Sequence, residues 1–275
     1  MTAPKPFCYF LTMKKILPLL PLLLSGILFS SPCPGAEPEM SGLQPIPPNG
    51  VFSTFGAQVI EEGKTAVSLS VERASEPSFY RLSTHIGYGF GEGIELSLSV
   101  PYIIDGTDGL EDTAIGLKHR FFSEGKYGPS VAYLLTASLI TGRDELSADG
   151  HLGAGLAISK RVGPVEGHVS AIYSTPGKSE LKDQFVFSAG FDFSAAHNFK
   201  ILGELYGKKS YYSKDVDQLE LRLGYRFLLG EGTFATLGAG IDLKDGSPQY
   251  RVIFSLSGVF PKEKRPVKKV YEEAD

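Results

Sequence analysis

Apolar side chains recur at every second position over most of this chain, from about Thr65 to Phe260. Between 218 and 227, Leu219, Leu221, Leu223, Tyr225 and Phe227 share one parity, and Gln218, Glu220, Arg222, Gly224 and Arg226 share the other. A strand sends successive side chains to opposite faces, so such a segment has one apolar and one polar face. The same beat predicts strands at 65–73, 80–90, 94–102, 113–121, 130–140, 151–162, 165–174, 184–193, 199–208, 218–227, 234–244 and 250–260. Most have about the 9–11 residues that a tilted strand needs to cross a bilayer. No segment keeps apolar residues at three-four spacing for several turns, so no helix is predicted there.

The connections alternate in length. Gly91-Glu92-Gly93, Ser123 to Pro129, Gly163-Pro164, Ser194 to Asn198 and Leu228 to Thr233 are mostly tight and rich in glycine or proline. The intervening ones include Ile103 to Asp112, Thr141 to Gly150, Thr175 to Asp183 and Lys209 to Asp217, which are longer and more charged. The first and last of that set, Ala74 to Phe79 and Asp245 to Gln249, are short. Tight turns at one end and long loops at the other are the periplasmic and extracellular ends of an outer-membrane barrel. The expectation is an all-β chain: a single antiparallel transmembrane β-barrel of about 12 strands, spanning 64–260. A soluble secreted sandwich is the alternative fold.

The N-terminus gives that alternation an address. Met13-Lys14-Lys15 precedes an apolar run from Ile16 to Phe29, and Pro34-Gly35-Ala36 follows, the layout of a signal peptide cleaved after Ala36. Initiation at Met13 would remove the awkward stretch upstream of it. The run is short for a spanning helix and carries Pro18 and Pro21. Pro32 before Cys33 spoils a lipobox, and Cys8 is the only other cysteine, so a chain starting at Glu37 has no thiol for a disulfide, metal or nucleophile. Loss of residues 1–36 removes Lys5, Lys14 and Lys15 and no acid, taking the formal charge from −4 to −7, which excludes a nucleic-acid partner.

Residues 37–63 contain the proline-rich run Gly42 to Gly50, expected to be extended and either to hang in the periplasm or to fold back into a lumen. The last strand ends at Phe260, like the signal read by the barrel assembly machinery, and 261–275 is a charged tail assigned to the periplasm. With no tryptophan, interfacial girdles fall to Tyr102, Phe121, Tyr173, Phe193, Tyr225, Phe227 and Phe260.

On the polar face lie Arg81, His85, Glu95, Lys118, Arg120, Glu166, His168, Asp192, Glu204, Glu220, Arg222, Arg226, Asp242 and Arg251. Charges of both signs there read as a constriction or as a salt-bridge network bracing the wall. Arg81, Lys118, Arg120, Asp192, Glu204, Glu220, Arg222 and Arg226 are the constriction candidates. Glu204, Glu220, Arg222 and Arg226 fall on adjacent strands. His168 and Ser170 share a face, the one constellation an outer-membrane hydrolase would use, but that face is the lumen rather than lipid. No metal-ligand spacing, phosphate loop or cofactor motif is present, so neither catalysis nor a cofactor is expected.

Gly109-Leu110-Glu111-Asp112-Thr113-Ala114-Ile115-Gly116-Leu117-Lys118-His119-Arg120-Phe121 resembles a segment of the bacterial outer-membrane barrels named for the MetA pathway of phenol degradation. That family opens Gly-x-Gly-Asp and closes Lys-Tyr-Arg-Phe; here Leu110-Glu111 departs from the first and His119 replaces the tyrosine. Pro101-Tyr102 resembles the family's strand ending, and Ile140-Thr141-Gly142 its Pro-Thr-Gly. The likeness runs over roughly 50–260 and implies a passive transporter of small, hydrophobic or aromatic molecules. The expected partners are that solute, outer-membrane lipid with lipopolysaccharide, and the assembly machinery. A closed structural or adhesion barrel, binding through loops 141–150 and 209–217, is the other reading.

Overall fold

The structure, a computed structural model, describes residues 42–75, 78–104, 108–210, 216–244 and 248–261. The signal-peptide and C-terminal-tail expectations lie outside the described residues. Thirteen strands are formed: β1 (Thr65–Ser75), β2 (Phe79–Gly89), β3 (Ile94–Ile104), β4 (Gly109–Leu110), β5 (Thr113–Phe122), β6 (Ser130–Leu139), β7 (His151–Val162), β8 (Val165–Pro176), β9 (Gln184–Ala196), β10 (Phe199–Ser210), β11 (Gln218–Gly230), β12 (Thr233–Asp242) and β13 (Tyr250–Phe260). Twelve of them form an antiparallel ring. The ring closes where β1 meets β13, in register from Thr65↔Phe260 to Ser75↔Tyr250. The two-residue β4 lies inside the segment expected to be a loop and pairs only with the end of β3, at Tyr102↔Leu110 and Ile103↔Gly109.

Thr65 and Phe260 mark the terminal rim, and the opposite end is the distal rim. At the terminal rim, β7 and β8 are joined by Gly163-Pro164 alone, and Gly163 has a φ of 60°, which a residue without a Cβ adopts freely. At the distal rim most connections are longer, although only residues 76–78 join β1 to β2.

Alternation decides which face goes where. In β1, Ala66, Ser68, Ser70, Glu72 and Ala74 are buried inside, while Leu69 and Val71 are exposed outside. Leu219 to Phe227 in β11 do the same, with Glu220, Arg222 and Arg226 inside. Outer aromatic residues pack beside one another near the terminal rim: Phe199 lies 5.4 Å from Tyr225 and 5.1 Å from Phe227, and Phe121 is 6.2 Å from Tyr133. A closed ring with charges inside and an apolar exterior is the reverse of a soluble sandwich, whose apolar faces meet in a core.

The buried core is made between the wall and residues 42–62, which fill the lumen. Leu43 and Phe55 pack with Ala114, Leu134, Ala157 and Ile172; Val51 and Phe52 pack with Leu202 and Ile253; Ile46 and Ile60 pack with Ala66. Residues 42–62 face the inner wall; residues 37–41 of the expected N-terminal segment lie outside the described residues. A void of about 10 Å³, room for about one water, remains among Gly42, Leu43, Gln44, Arg81, Ser83, Pro101 and Glu111.

Candidate functional site

A proline-rich segment inside a barrel has a backbone problem. It pairs with a strand only in an isolated bridge at its end, Glu62 to Gly89, so most of its N–H and C=O groups must find other partners or remain unsatisfied. Part of the answer is local: the N–H groups of Asn49 and Gly50 donate to Ile46 O and Pro48 O, and Val51 N donates to Thr54 O. Six further bonds come from two charged side chains on β10 and β11. Arg226 donates to the carbonyls of Pro48 (3.3 Å), Gly50 (3.1 Å) and Val51 (3.3 Å). Glu204 Oε2 accepts from three consecutive N–H groups, Phe52 (3.1 Å), Ser53 (2.8 Å) and Thr54 (2.7 Å). Farther along, Ser170 Oγ accepts from Phe55 N, Ser159 Oγ from Ala57 N, and Glu95 Oε2 from Ile60 N.

The apolar side chains of the segment enter notches where the wall has glycine. A Cβ built on Gly238 would stand 2.3 Å from the Phe52 ring, and one on Gly224 2.7 Å from it. Gly87 faces Ile46 and Ile60, Gly116 faces Leu43, and Gly190 faces Val51 in the same way. Segment and wall are therefore complementary in shape as well as in hydrogen bonding.

Above this plug, towards the distal rim, the wall charges form one alternating chain. Arg81 holds Glu111 through two bonds, Nε at 2.7 Å and Nη2 at 2.9 Å, and stands 3.7 Å from Glu72. Arg251 bonds Glu72 and also reaches Glu220, 3.1 Å away. Glu220 accepts from Arg222 Nε at 2.7 Å, and Arg222 Nη1 meets Glu204 at 3.0 Å, which returns the chain to the plug. The chain crosses β12 at Gly240, where a Cβ would stand 2.9 Å from Arg222 Cγ. Arg222 also lies over the Tyr206 ring, 4.3 Å from its centre. All seven charged residues are buried, and each carboxylate faces an arginine, which offsets its desolvation.

The other expected lumen residues also sit on the inner face. Lys118 pairs with Glu95 at 3.1 Å, and Lys200 pairs with Asp192 at 2.9 Å. Arg120 is half-buried and makes no ion pair among the described residues. Asp242 is half-buried at the end of β12. His85 is fully enclosed, with neither ring nitrogen bonded. His168 and Ser170 do not bond each other. The hydroxyl at His168 Nδ1 is Ser159, at 2.8 Å, while Ser170 Oγ meets Ser188 Oγ at 2.8 Å. Ser159 has no exposed surface and already accepts from the plug. A buried hydroxyl so occupied is no nucleophile for a substrate arriving from lipid or water.

A second closure lies at the distal rim. Asp112 accepts from Gly142 N (3.0 Å), Ser147 Oγ (2.8 Å), Ala148 N (2.9 Å) and Gly150 N (3.3 Å). These bonds turn loop 140–150 inward, and Leu146 is buried against Ala74, Phe79 and Ile103. Thr141 Oγ1 accepts from Thr113 N, and a Cβ on Gly142 would stand 2.8 Å from the Asp112 carboxylate. Asp112-Thr113 and Thr141-Gly142, read from sequence as two separate motifs, are the two halves of one latch.

Sequence reasoning missed this latch, the partner of His168, and the seating of the plug. Apolar residues at 43, 46, 51, 52, 55 and 60, together with inward glycines opposite no large neighbour, were the available signals.

Similar architecture occurs in solved structures. The KdgM porin matches with a TM-score of 0.55 at 11% identity, over 70% of this chain and 98% of that one. The NanC porin matches at 0.55 with 8% identity, over 73% of this chain and 99% of that one. An outer membrane channel from Pseudomonas putida F1 matches at 0.54 with 13% identity, over 74% and 98%. The fold is that of porin-type barrels. No family model and no curated protein matches this sequence.

Proposed function

We propose that the protein is an outer-membrane channel for small molecules, held shut by its own residues 42–62. The observation that carries this reading is the way the plug is held. Its grip consists of side-chain bonds from Arg226, Glu204, Ser170, Ser159 and Glu95, and of side chains in glycine notches; its backbone meets a wall strand in an isolated bridge, Glu62 to Gly89, where the segment joins β1, and in no ladder. Such a segment leaves without breaking the ring. The apolar outer face and the likeness to porins support the membrane address. Lipid and lipopolysaccharide contact that face in this reading, and delivery runs through the barrel assembly machinery. Once the plug is out, the path runs past the proposed constriction of Arg222, Arg226, Glu204 and Glu220, with Arg81, Lys118, Arg120 and Asp192 lining the wall. The resemblance at 109–121 makes small hydrophobic or aromatic molecules the proposed solutes.

Planar-bilayer recording of the whole chain and of a variant lacking 42–62 tests this. The channel reading expects little current from the first and steady conductance from the second. A filled lumen is also what a closed structural barrel has, and silence from both forms, each correctly folded, would establish that second reading.

A further inference from the structure

Glu166, His168 and Asp192 meet on the inner wall at the terminal end of the lumen. The register places Glu166 opposite Asp192 and His168 opposite Ser159, so all four side chains point the same way from β7, β8 and β9. The carboxylate oxygens and the imidazole nitrogen lie within 4.8 Å of one another. All three residues are buried.

Two buried atoms at this cluster lack a hydrogen-bond partner. His168 Nε2 is buried and has no hydrogen-bond partner; the nearest carboxylate oxygen, on Asp192, is 3.9 Å away. That gap is too long for a hydrogen bond. Donors about 2.0–2.2 Å from a tetrahedral centre stand roughly 3.3–3.6 Å apart, so a closure of a few tenths of an ångström makes the pair two ligands of one ion. The second is Oε1 of Gln58, a plug residue whose amide nitrogen bonds Glu166. Gly56 leaves room for the convergence: a Cβ there would stand 2.7 Å from Gln58 Oε1 and 3.2 Å from the His168 ring.

The ring is also oriented as a ligand. Metal-bound imidazoles usually donate their second N–H to an outer partner, which fixes the tautomer. With Nδ1–H donating to Ser159 Oγ, 2.8 Å away, the lone pair of Nε2 faces the two carboxylates. We propose that Glu166, His168 and Asp192, completed by Gln58 from the plug, bind a divalent cation of the zinc type, and that this ion fastens the plug to the wall. One imidazole with carboxylate and amide oxygens is a donor set that takes Zn²⁺.

Arg161 and Lys200 now neutralise Glu166 and Asp192. Both are partly exposed, 56% for the Arg161 side chain and 26% for Lys200, so each has a route back to water when an ion enters. The competition is itself testable, because removing one rival cation should tighten the site.

The probe is Zn²⁺ alone, titrated by calorimetry into the detergent-solubilised whole chain after chelator treatment. The expected result is one ion per chain, at least tenfold weaker binding in His168→Ala and in Gln58→Ala, tighter binding in Lys200→Met, and unchanged binding in His197→Ala. No stoichiometric uptake by either the native chain or Lys200→Met would overturn the proposal, as would equal uptake by His168→Ala. Heat-modifiable gel mobility of each variant shows that the barrel has folded. Uptake is read whether or not the barrel conducts, so failure here is distinct from failure of the channel reading.

Discussion

Arg226 and Glu204 are the residues on which closure turns, because each satisfies three backbone groups of the plug. Hydrogen bonds from a charged group contribute about 1.5–3 kcal/mol each, and they are not additive here because they share one side chain. Arg226→Ala should therefore weaken plug docking by about 3 kcal/mol, roughly a hundredfold in the undocked population. The readout is solute leak from proteoliposomes, together with faster cleavage of residues 42–62 by added protease. Gly238→Leu should act by shape instead: its side chain would occupy the Phe52 notch, where even a Cβ would stand 2.3 Å from the ring. We expect leak comparable to Arg226→Ala with the barrel intact by gel mobility; an unaltered, sealed protein would show that the notch does not seat the ring.

At the scale of elements, the strands were legible in the sequence because alternation is local: a parity break can be seen without knowing the neighbour. Thus β1, β7 and β13 lie where the beat placed them, and the inner residues from Arg81 to Arg251 are on the inner face. The short β4 was not legible, since two residues carry no period and its pairing is set by where β3 ends. The plug was legible only as a proline-rich stretch. Its seat depends on contacts 35 to 178 residues away in sequence, which no local pattern encodes. The latch was half legible: Asp112 and Thr141-Gly142 stood out as motifs, but their contact across 30 residues did not. Asp112→Ala should release loop 140–150 and speed tryptic cleavage after Arg143, whose side chain is already exposed but whose backbone N–H is tied to Leu110 O, while leak stays low because the plug is still seated. The charge chain gives a stability prediction. Arg251→Ala leaves Glu72 and Glu220 without one of their arginines, which should cost about 3–5 kcal/mol as for other broken buried pairs. Denaturant titration of detergent-solubilised protein checks this, and adding Glu220→Gln should recover part of the loss.

For the whole molecule, stability and closure are separable. The ring is closed by backbone ladders, from β1 against β13 round to β2 against β3, and none of these ladders includes the plug. The lumen is filled from one end by residues 42–62 and capped at the other by loop 140–150. Emptying it should expose the buried charges of β10 and β11 to water without unravelling a strand. The most direct measurement tethers the plug reversibly. A Cβ on Gly190 would stand 3.3 Å from Thr54 Oγ1 and 2.9 Å from Val51 Cγ2, so Thr54→Cys and Gly190→Cys, with Val51→Ala to make room for the new Cβ, are placed to form a disulfide. In the leaking Arg226→Ala background, oxidation of this pair should return solute flux to the native level, and reductant should restore the leak. Flux that is the same in the oxidised and reduced states, with the cross-link formed, would contradict the claim that residues 42–62 close the barrel.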